Sequence, residues 1–166
     1  MPAQSSFDVT TGVDLQEVDN AVNQARTEIG QRYDFKGSKA AVAFDRAAAT
    51  VELTADSELQ LDALLDVLQT RLIRRGVPVR NLDLGSVEPG GGNIVRRTIR
   101  LVTALDADTT RRVAAAVKAA KLKKVQVAIQ GDQVRVSSPS RDELQAAIAV
   151  LRAEDFGVEL TFGNYR

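Results

Sequence analysis

The chain contains neither cysteine nor histidine. Without cysteine it has no disulfide, no thiolate nucleophile and no thiolate metal ligand, and without histidine it lacks the commonest general base and transition-metal ligand. Hydrolytic triads, zinc chemistry and cysteine redox chemistry are thereby excluded, which leaves carboxylate, lysine, arginine, tyrosine and hydroxyl chemistry, or none. Charge of one sign is missing as well: 22 Lys+Arg stand against 22 Asp+Glu. A global field therefore cannot drive the chain onto nucleic acid or an anionic membrane, and any such affinity must come from a local patch. No apolar run approaches the roughly 20 residues of a membrane span, and Met-Pro-Ala-Gln-Ser-Ser at the start has no basic stretch followed by an apolar one. A cytoplasmic location is expected. Aromatic residues make up 4% of the chain, and none falls into the Lys/Arg-Gly-Phe-Gly/Ala-Phe pattern by which sheet platforms stack bases.

What is present is an order of patterns that occurs twice. Phe7-Asp8-Val9-Thr10 alternates at the strand period. Asp14 with Glu17 opens a helix whose Leu15, Val18, Val22, Ala25 and Ile29 recur at spacings of three and four. Strands follow at about Lys39 to Asp45 and Thr50 to Ala55, and Ser57 with Gln60 is a capping box before Leu61, Leu64, Leu65, Leu68 and Leu72. Gly76 closes that helix, Pro78 prevents its continuation, and strand composition returns from Asn81 to Val87.

The second half repeats this order. Ile94 to Val102 reads as a strand, and Asp106 or Asp108 caps a helix carrying Val113, Val117 and Ala120. Val125 to Gln130 and Gln133 to Val136 flank the two-residue turn Gly131-Asp132, a hairpin signal. Ser140 with Glu143 caps another helix over Leu144, Ala147, Ile148 and Leu151; Gly157 ends it, and Val158, Leu160 and Phe162 form the last strand.

Between the halves lies Glu88-Pro89-Gly90-Gly91-Gly92-Asn93, which suits either a flexible linker or a hairpin turn; strand composition on both sides favours the turn. The expected architecture is α+β: two tandem ferredoxin-like, RNA-recognition-like βαββαβ units, each a four-stranded antiparallel sheet with two helices on one face. Residues 1–88 form the first unit, 89–93 the glycine-rich turn and 94–166 the second. If the turn is a tight hairpin, the first strands are exchanged: 94–103 pairs into the first sheet and 6–11 into the second. Two independent domains on a linker are the alternative.

Helices cover one face of each sheet, so the outward strand residues are the candidate interface. In the second half these are Arg96, Thr98 and Arg100, then Lys124, Gln126 and Gln130, then Arg135. Arg96, Arg100, Lys124, Gln126 and Arg135, with Lys36 from the Tyr33-Asp34-Phe35-Lys36-Gly37 cluster, are the candidate nucleotide contacts. Arg111, Arg112 and Lys118 read as ordinary solvated helix charges. Phe44, Phe162 and Phe7 belong with the apolar inner sets.

Several blocks, taken in order, resemble the YajQ family over nearly the whole chain. They are Ser6-Phe7-Asp8 with Val13 to Val18, Arg32-Tyr33-Asp34-Phe35-Lys36-Gly37, Val125 to Val136, Arg141-Asp142-Glu143-Leu144-Gln145, and Phe162-Gly163-Asn164-Tyr165-Arg166. The resemblance implies tandem RNA-recognition-like domains in a bacterial cytosolic protein described as nucleotide-binding, with cyclic di-GMP sensing attributed to some members and no settled catalytic activity. Two segments depart from the family pattern: Thr103 to Asp108, a short stand-in for a longer basic and polar stretch, and Ser138-Pro139. The expected function is non-enzymatic binding of RNA or a cyclic dinucleotide in a regulatory role, with no cofactor. A scaffold for a protein partner is the alternative. An enzyme such as a phosphatase ranks last, because Thr11-Gly12-Val13-Asp14 lacks a Gly-rich cradle with an arginine and no Gly-x-x-x-x-Gly-Lys occurs.

Overall fold

The computed structural model describes residues 4–166. The first three residues, part of the N-terminal stretch read above for a leader, lie outside the described residues. In chain order the elements are β1 (Ser5–Thr10), α1 (Leu15–Gln31), β2 (Ala41–Asp45), β3 (Thr50–Ala55), α2 (Glu58–Arg74), β4 (Leu82–Asp83), β5 (Glu88–Pro89), β6 (Val95–Leu101), α3 (Ala107–Ala119), β7 (Gln126–Gln130), β8 (Gln133–Ser138), α4 (Arg141–Ala153) and β9 (Thr161–Gly163). The protein is thus mixed α+β, with four helices and two antiparallel sheets among the described residues. It divides into a central unit, Val13–Thr103, and a composite unit made of Met1–Gly12 with Ala104–Arg166.

In the central unit, the Asp14 carboxylate accepts from the backbone N–H groups of Gln16 and Glu17 and starts α1, satisfying donors that have no intrahelical partner. Ser57 Oγ accepts from the Gln60 amide to start α2. The Gln60 side chain reaches back one residue further than a standard capping box, accepting from the Asp56 N–H at 2.9 Å. Leu61, Leu64, Leu68 and Leu72 are almost fully buried against Val51, Leu53 and Ile99. The sheet order is β2-β3-β6-β4, with β5 also on β6.

The glycine segment is a hairpin turn: Gly90 N–H donates to the Ile94 carbonyl at 2.9 Å, and Gly91, Gly92 and Asn93 all take left-handed φ values, a run that residues with side chains resist. The strand expected across 81–87 is shorter than its composition implies. β4 and β5 both pair with β6, but Gly85 between them sits at φ +63, where an added Cβ would stand 2.7 Å from the Thr98 carbonyl oxygen. The chain bulges there because only glycine fits so close to the neighbouring backbone.

In the composite unit, β1 lies between β8 and β9 in a sheet ordered β7-β8-β1-β9. Phe7 aligns with Val136 and Val9 with both Val134 and Phe162, so this inner face packs on Val113, Val117, Leu144, Ile148 and Leu151. The Asp106 carboxylate starts α3 by accepting from the Thr109 amide at 2.7 Å, and that hydrogen bond is the main cause holding its carboxyl below the ordinary carboxylate value. Ser140 caps α4 through the Glu143 amide. Two details differ from the sequence pattern. Val158 and Leu160 pack against the core without joining the ladder, so β9 begins only at Thr161. Ile129, expected with the apolar side of β7, is 47% exposed; β7 is an edge strand of its sheet, which leaves one side of it uncovered.

Candidate functional site

The candidate residues fall on both units. Arg96 and Arg100 stand on β6, and Lys36 follows a short helical turn, all in the central unit; Lys124, Gln126 and Arg135 belong to the composite unit. The single face expected for them is therefore divided between two sheets.

On the open face of the central sheet the arginines are matched by acids. Arg96 aligns with Glu88 on β5, and Arg100 with Asp83 on β4; Glu52 aligns with Thr98 and Asp45 with Thr50. Both acids opposite the arginines are exposed. Cross-strand pairs of opposite charge contribute a few tenths of a kcal/mol up to about 1 kcal/mol, so the surface is charge-mixed and not cationic.

Lys36 sits at the end of a braced turn. The Arg32 guanidinium donates to both oxygens of Asp34, at 3.0 and 2.7 Å, and also to Glu28 at 3.4 Å. Arg71 donates to the same Glu28 at 2.8 Å, and the Arg32 guanidinium lies 5.0 Å from the centre of the buried Phe35 ring. Hydrogen bonding to Arg32 holds the Asp34 carboxyl below its usual value and raises Arg32 in turn. The brace buries Phe35 and leaves Tyr33, 90% exposed, beside Lys36 at the surface.

In the composite unit Arg135 is already engaged. On the sheet face away from the helices, its Nε donates to Asp8 Oδ1 at 2.9 Å, and Asn164 Nδ2 donates to Asp8 Oδ2 at 2.6 Å. Asp8 is only 4% exposed. Its carboxyl is held below the ordinary value chiefly by the Arg135 hydrogen bond, with help from Asn164 and the Arg166 charge against the opposing effect of burial. A guanidinium locked on a buried carboxylate has fewer donors left for a ligand.

Lys124 and Gln126 have a different setting. The connection from α3 to β7 carries Lys121 and Lys124 in left-handed backbone at φ 52 and 58, a conformation that costs about 1 kcal/mol for residues other than glycine. Lys118, Lys121, Lys123 and Lys124 are all exposed, and no carboxylate occurs between Asp108 and Asp132. Lys118, Lys121 and Gln126 line a groove of about 470 Å³ floored by Val117, Leu122, Val125 and Val127. In sequence Lys118 reads as an ordinary helix charge; its meeting with Lys121 and Gln126 depends on a reversal after α3 through left-handed lysines, which composition does not announce. By contrast Arg111 and Arg112 are spent locally, on Asp108 and on the Asp155 carbonyl.

Among the described residues there is no cluster of acids suited to a metal ion, and no helix is long and apolar enough to cross a membrane. Comparison with known proteins places this geometry in a class. A Trichlorobacter lovleyi protein described as a nucleotide-binding protein is 44% identical over 161 residues, covering 97% of this chain and 98% of its own length. A Bacillus cereus (strain G9842) protein with the same description is 45% identical over 166 residues, and one from Bacillus anthracis (strain A0248) is 44% identical, each covered in full. Residues 5–166 match the family described as nucleotide-binding protein YajQ-like, and the chain belongs to that YajQ family.

Proposed function

We propose that this chain is a non-enzymatic nucleotide-binding protein whose two units are ferredoxin-like βαββαβ folds, with β6 in the first-strand position of the central unit and β1 in that of the composite unit. Its ligand is RNA or a cyclic dinucleotide such as cyclic di-GMP, and its role is regulatory, in the bacterial cytoplasm. The observation that carries this reading is the groove between the end of α3 and β7, lined by Lys118, Lys121 and Gln126, with the exposed Lys123 and Lys124 in the adjoining connection and no carboxylate between Asp108 and Asp132. Phosphate contacts require cations that nothing else neutralises, and these four lysines form no ion pair among the described residues. Lys124 and Gln126 remain proposed contacts. Arg135 acts through its hold on Asp8, while Arg96, Arg100 and Lys36 are separate contacts on the central unit.

The test is affinity for a single-stranded RNA and for cyclic di-GMP, measured across salt concentrations for the wild type and for Lys121→Ala with Lys124→Ala. Each lost phosphate contact should lower the logarithmic salt slope by about 0.7 to 1. A wild type that binds neither ligand, or a double variant with unaltered slope, overturns the assignment.

One feature supports a protein-binding scaffold instead: β7 is an edge strand, and Ile129 is exposed on it. Such an edge can accept a partner strand. A partner still recovered with the chain after nuclease treatment would favour that reading.

A further inference from the structure

A second cavity, of about 370 Å³, opens in the composite unit between the start of α4 and the C-terminal strand. Its volume is within the ~300–1,000 Å³ of small-molecule sites. Phe7, Leu144 and Ile148 form its apolar wall, and Tyr165 and Arg141 give it an aromatic and a cationic group.

The local backbone is arranged to present that tyrosine. Asp8 aligns with Gly163, and Ser6 exchanges both backbone hydrogen bonds with Arg166, so Phe7 alone stands opposite the two residues Asn164 and Tyr165. This is a β-bulge, and its first residue, Asn164, takes the left-handed φ of 53 usually reserved for glycine. The Asn164 side chain is held there by its 2.6 Å bond to Asp8. The bulge turns Tyr165 against Phe7, with ring centroids 6.4 Å apart, yet leaves Tyr165 64% exposed at the cavity. A buried carboxylate and a strained asparagine thus hold an exposed aromatic ring in place. Arg141, in the first turn of α4, is exposed and has no side-chain partner among the described residues.

We propose that this cavity binds a nucleoside monophosphate unit, its base stacked on Tyr165 and its phosphate held by Arg141. An apolar wall with a free ring face suits a heterocycle, and an unpaired guanidinium beside it suits an anion. The choice of a nucleotide over other aromatic anions rests on the nucleotide-binding reading above; the site itself is distinct from the lysine groove. Asn164 and Asp8 are positioning residues for the ring.

Calorimetric titration of the full chain with AMP, GMP, adenosine and ribose 5-phosphate tests it. The monophosphates should bind at least about tenfold tighter than either fragment. Tyr165→Ala should weaken them about tenfold or more, the loss of one stacked base, while Tyr165→Phe, which keeps the ring, stays within about threefold. Arg141→Ala should weaken AMP but leave adenosine unchanged. Should Tyr165→Ala, folded as judged by an unchanged melting curve, bind AMP like the wild type, or should the wild type not prefer AMP to its fragments, the site is overturned. RNA or cyclic dinucleotide binding that survives in Tyr165→Ala but fails in the lysine variant would then leave the groove reading standing. The reverse pattern would remove the groove and keep this cavity.

Discussion

The two sheets put charge on their open faces in opposite ways. On the central sheet, Arg96 and Arg100 lie opposite Glu88 and Asp83 at a surface where both acids are exposed. On the composite sheet, a single carboxylate, Asp8, is sunk to 4% exposure and clamped by Arg135 and Asn164. Both arrangements begin from the same strand alternation. One is a solvated, charge-balanced surface; the other is a fastener that ties β8, β1 and the C-terminal strand together. A count of cations along outward strand positions does not separate the two. In the composite unit, exposed cations with no ion pair among the described residues stand at the α3–β7 connection and at the start of α4.

The comparison is most severely broken through the first strand. Phe7 is fully buried in the composite core although most of that unit follows Thr103 in the chain. Phe7→Ala should destabilise by about 3–5 kcal/mol. Hydrogen exchange should then speed up in β8, β9 and α4, while α1 and α2 keep their protection. Equal loss of protection in α1 and α2 would mean that the two cores do not respond separately.

Asp8 comes next. Removing a buried acceptor of three charge-assisted or polar bonds costs about 2–3 kcal/mol, so Asp8→Ala should lower the melting temperature clearly. Since Arg135 holds the Asp8 carboxyl below its unfolded value of about 3.9, the native state favours its ionised form. That contribution is fully present above the unfolded pKa and disappears as pH falls through the lower folded value. Below about pH 4 the wild type should therefore lose stability more steeply than Asp8→Asn, whose side chain does not titrate in this range. Identical acid limbs would mean that the clamp adds nothing as a charge.

Much of this architecture is legible in the residues. Asp14, Ser57, Asp106 and Ser140 each mark a helix start by a capping oxygen, and each caps the helix expected from it. The glycine run between Pro89 and Asn93 points to a turn, and strict alternation in β3 and β8 marks strands with one buried face. What stays hidden depends on contacts between residues far apart in the chain. Asp8 looks like any outward polar strand residue until Arg135 and Asn164 arrive from the far end of the sequence. Phe156, just after α4 with Arg112 over its ring, is buried without any periodic pattern around it. Lys118, Lys121 and Gln126 come together at one groove across a connection in which Lys121 and Lys124 take left-handed backbone. Tyr165 is visible in sequence within the terminal block Phe162-Gly163-Asn164-Tyr165-Arg166, but its aim is set by a bulge that Asn164, not glycine, supports.

A smaller effect is expected where the central sheet interrupts its own edge. Gly85→Ala would bring a methyl to 2.7 Å from the Thr98 carbonyl oxygen at a φ of +63, costing about 1–3 kcal/mol in strain. Gly91→Ala, at φ +78 but with open space around it, should cost about 1 kcal/mol from backbone conformation alone. Chemical denaturation midpoints would separate the two. Equal losses would show that the segment between β4 and β5 moves away from β6 without penalty.

The smallest change in stability should follow Arg96→Ala with Arg100→Ala. These side chains make no ion pair among the described residues, and exposed cross-strand charges contribute little, so the melting curve should shift by no more than about 0.5 kcal/mol. That near-silence in stability makes the pair a clean probe of binding. If the central sheet touches RNA, the double variant should lower affinity equally for different sequences and reduce the salt slope by about 0.7 to 1 for each lost phosphate contact. Glu88 and Asp83 work against such contact, because an approaching phosphate must lie beside them. Replacing both with neutral Gln and Asn should therefore strengthen RNA binding if Arg96 and Arg100 take part. If the arginine variant leaves slope and affinity unaltered and the acid variant gives no gain, the open face of the central sheet is solvent surface, and phosphate recognition belongs to the composite unit.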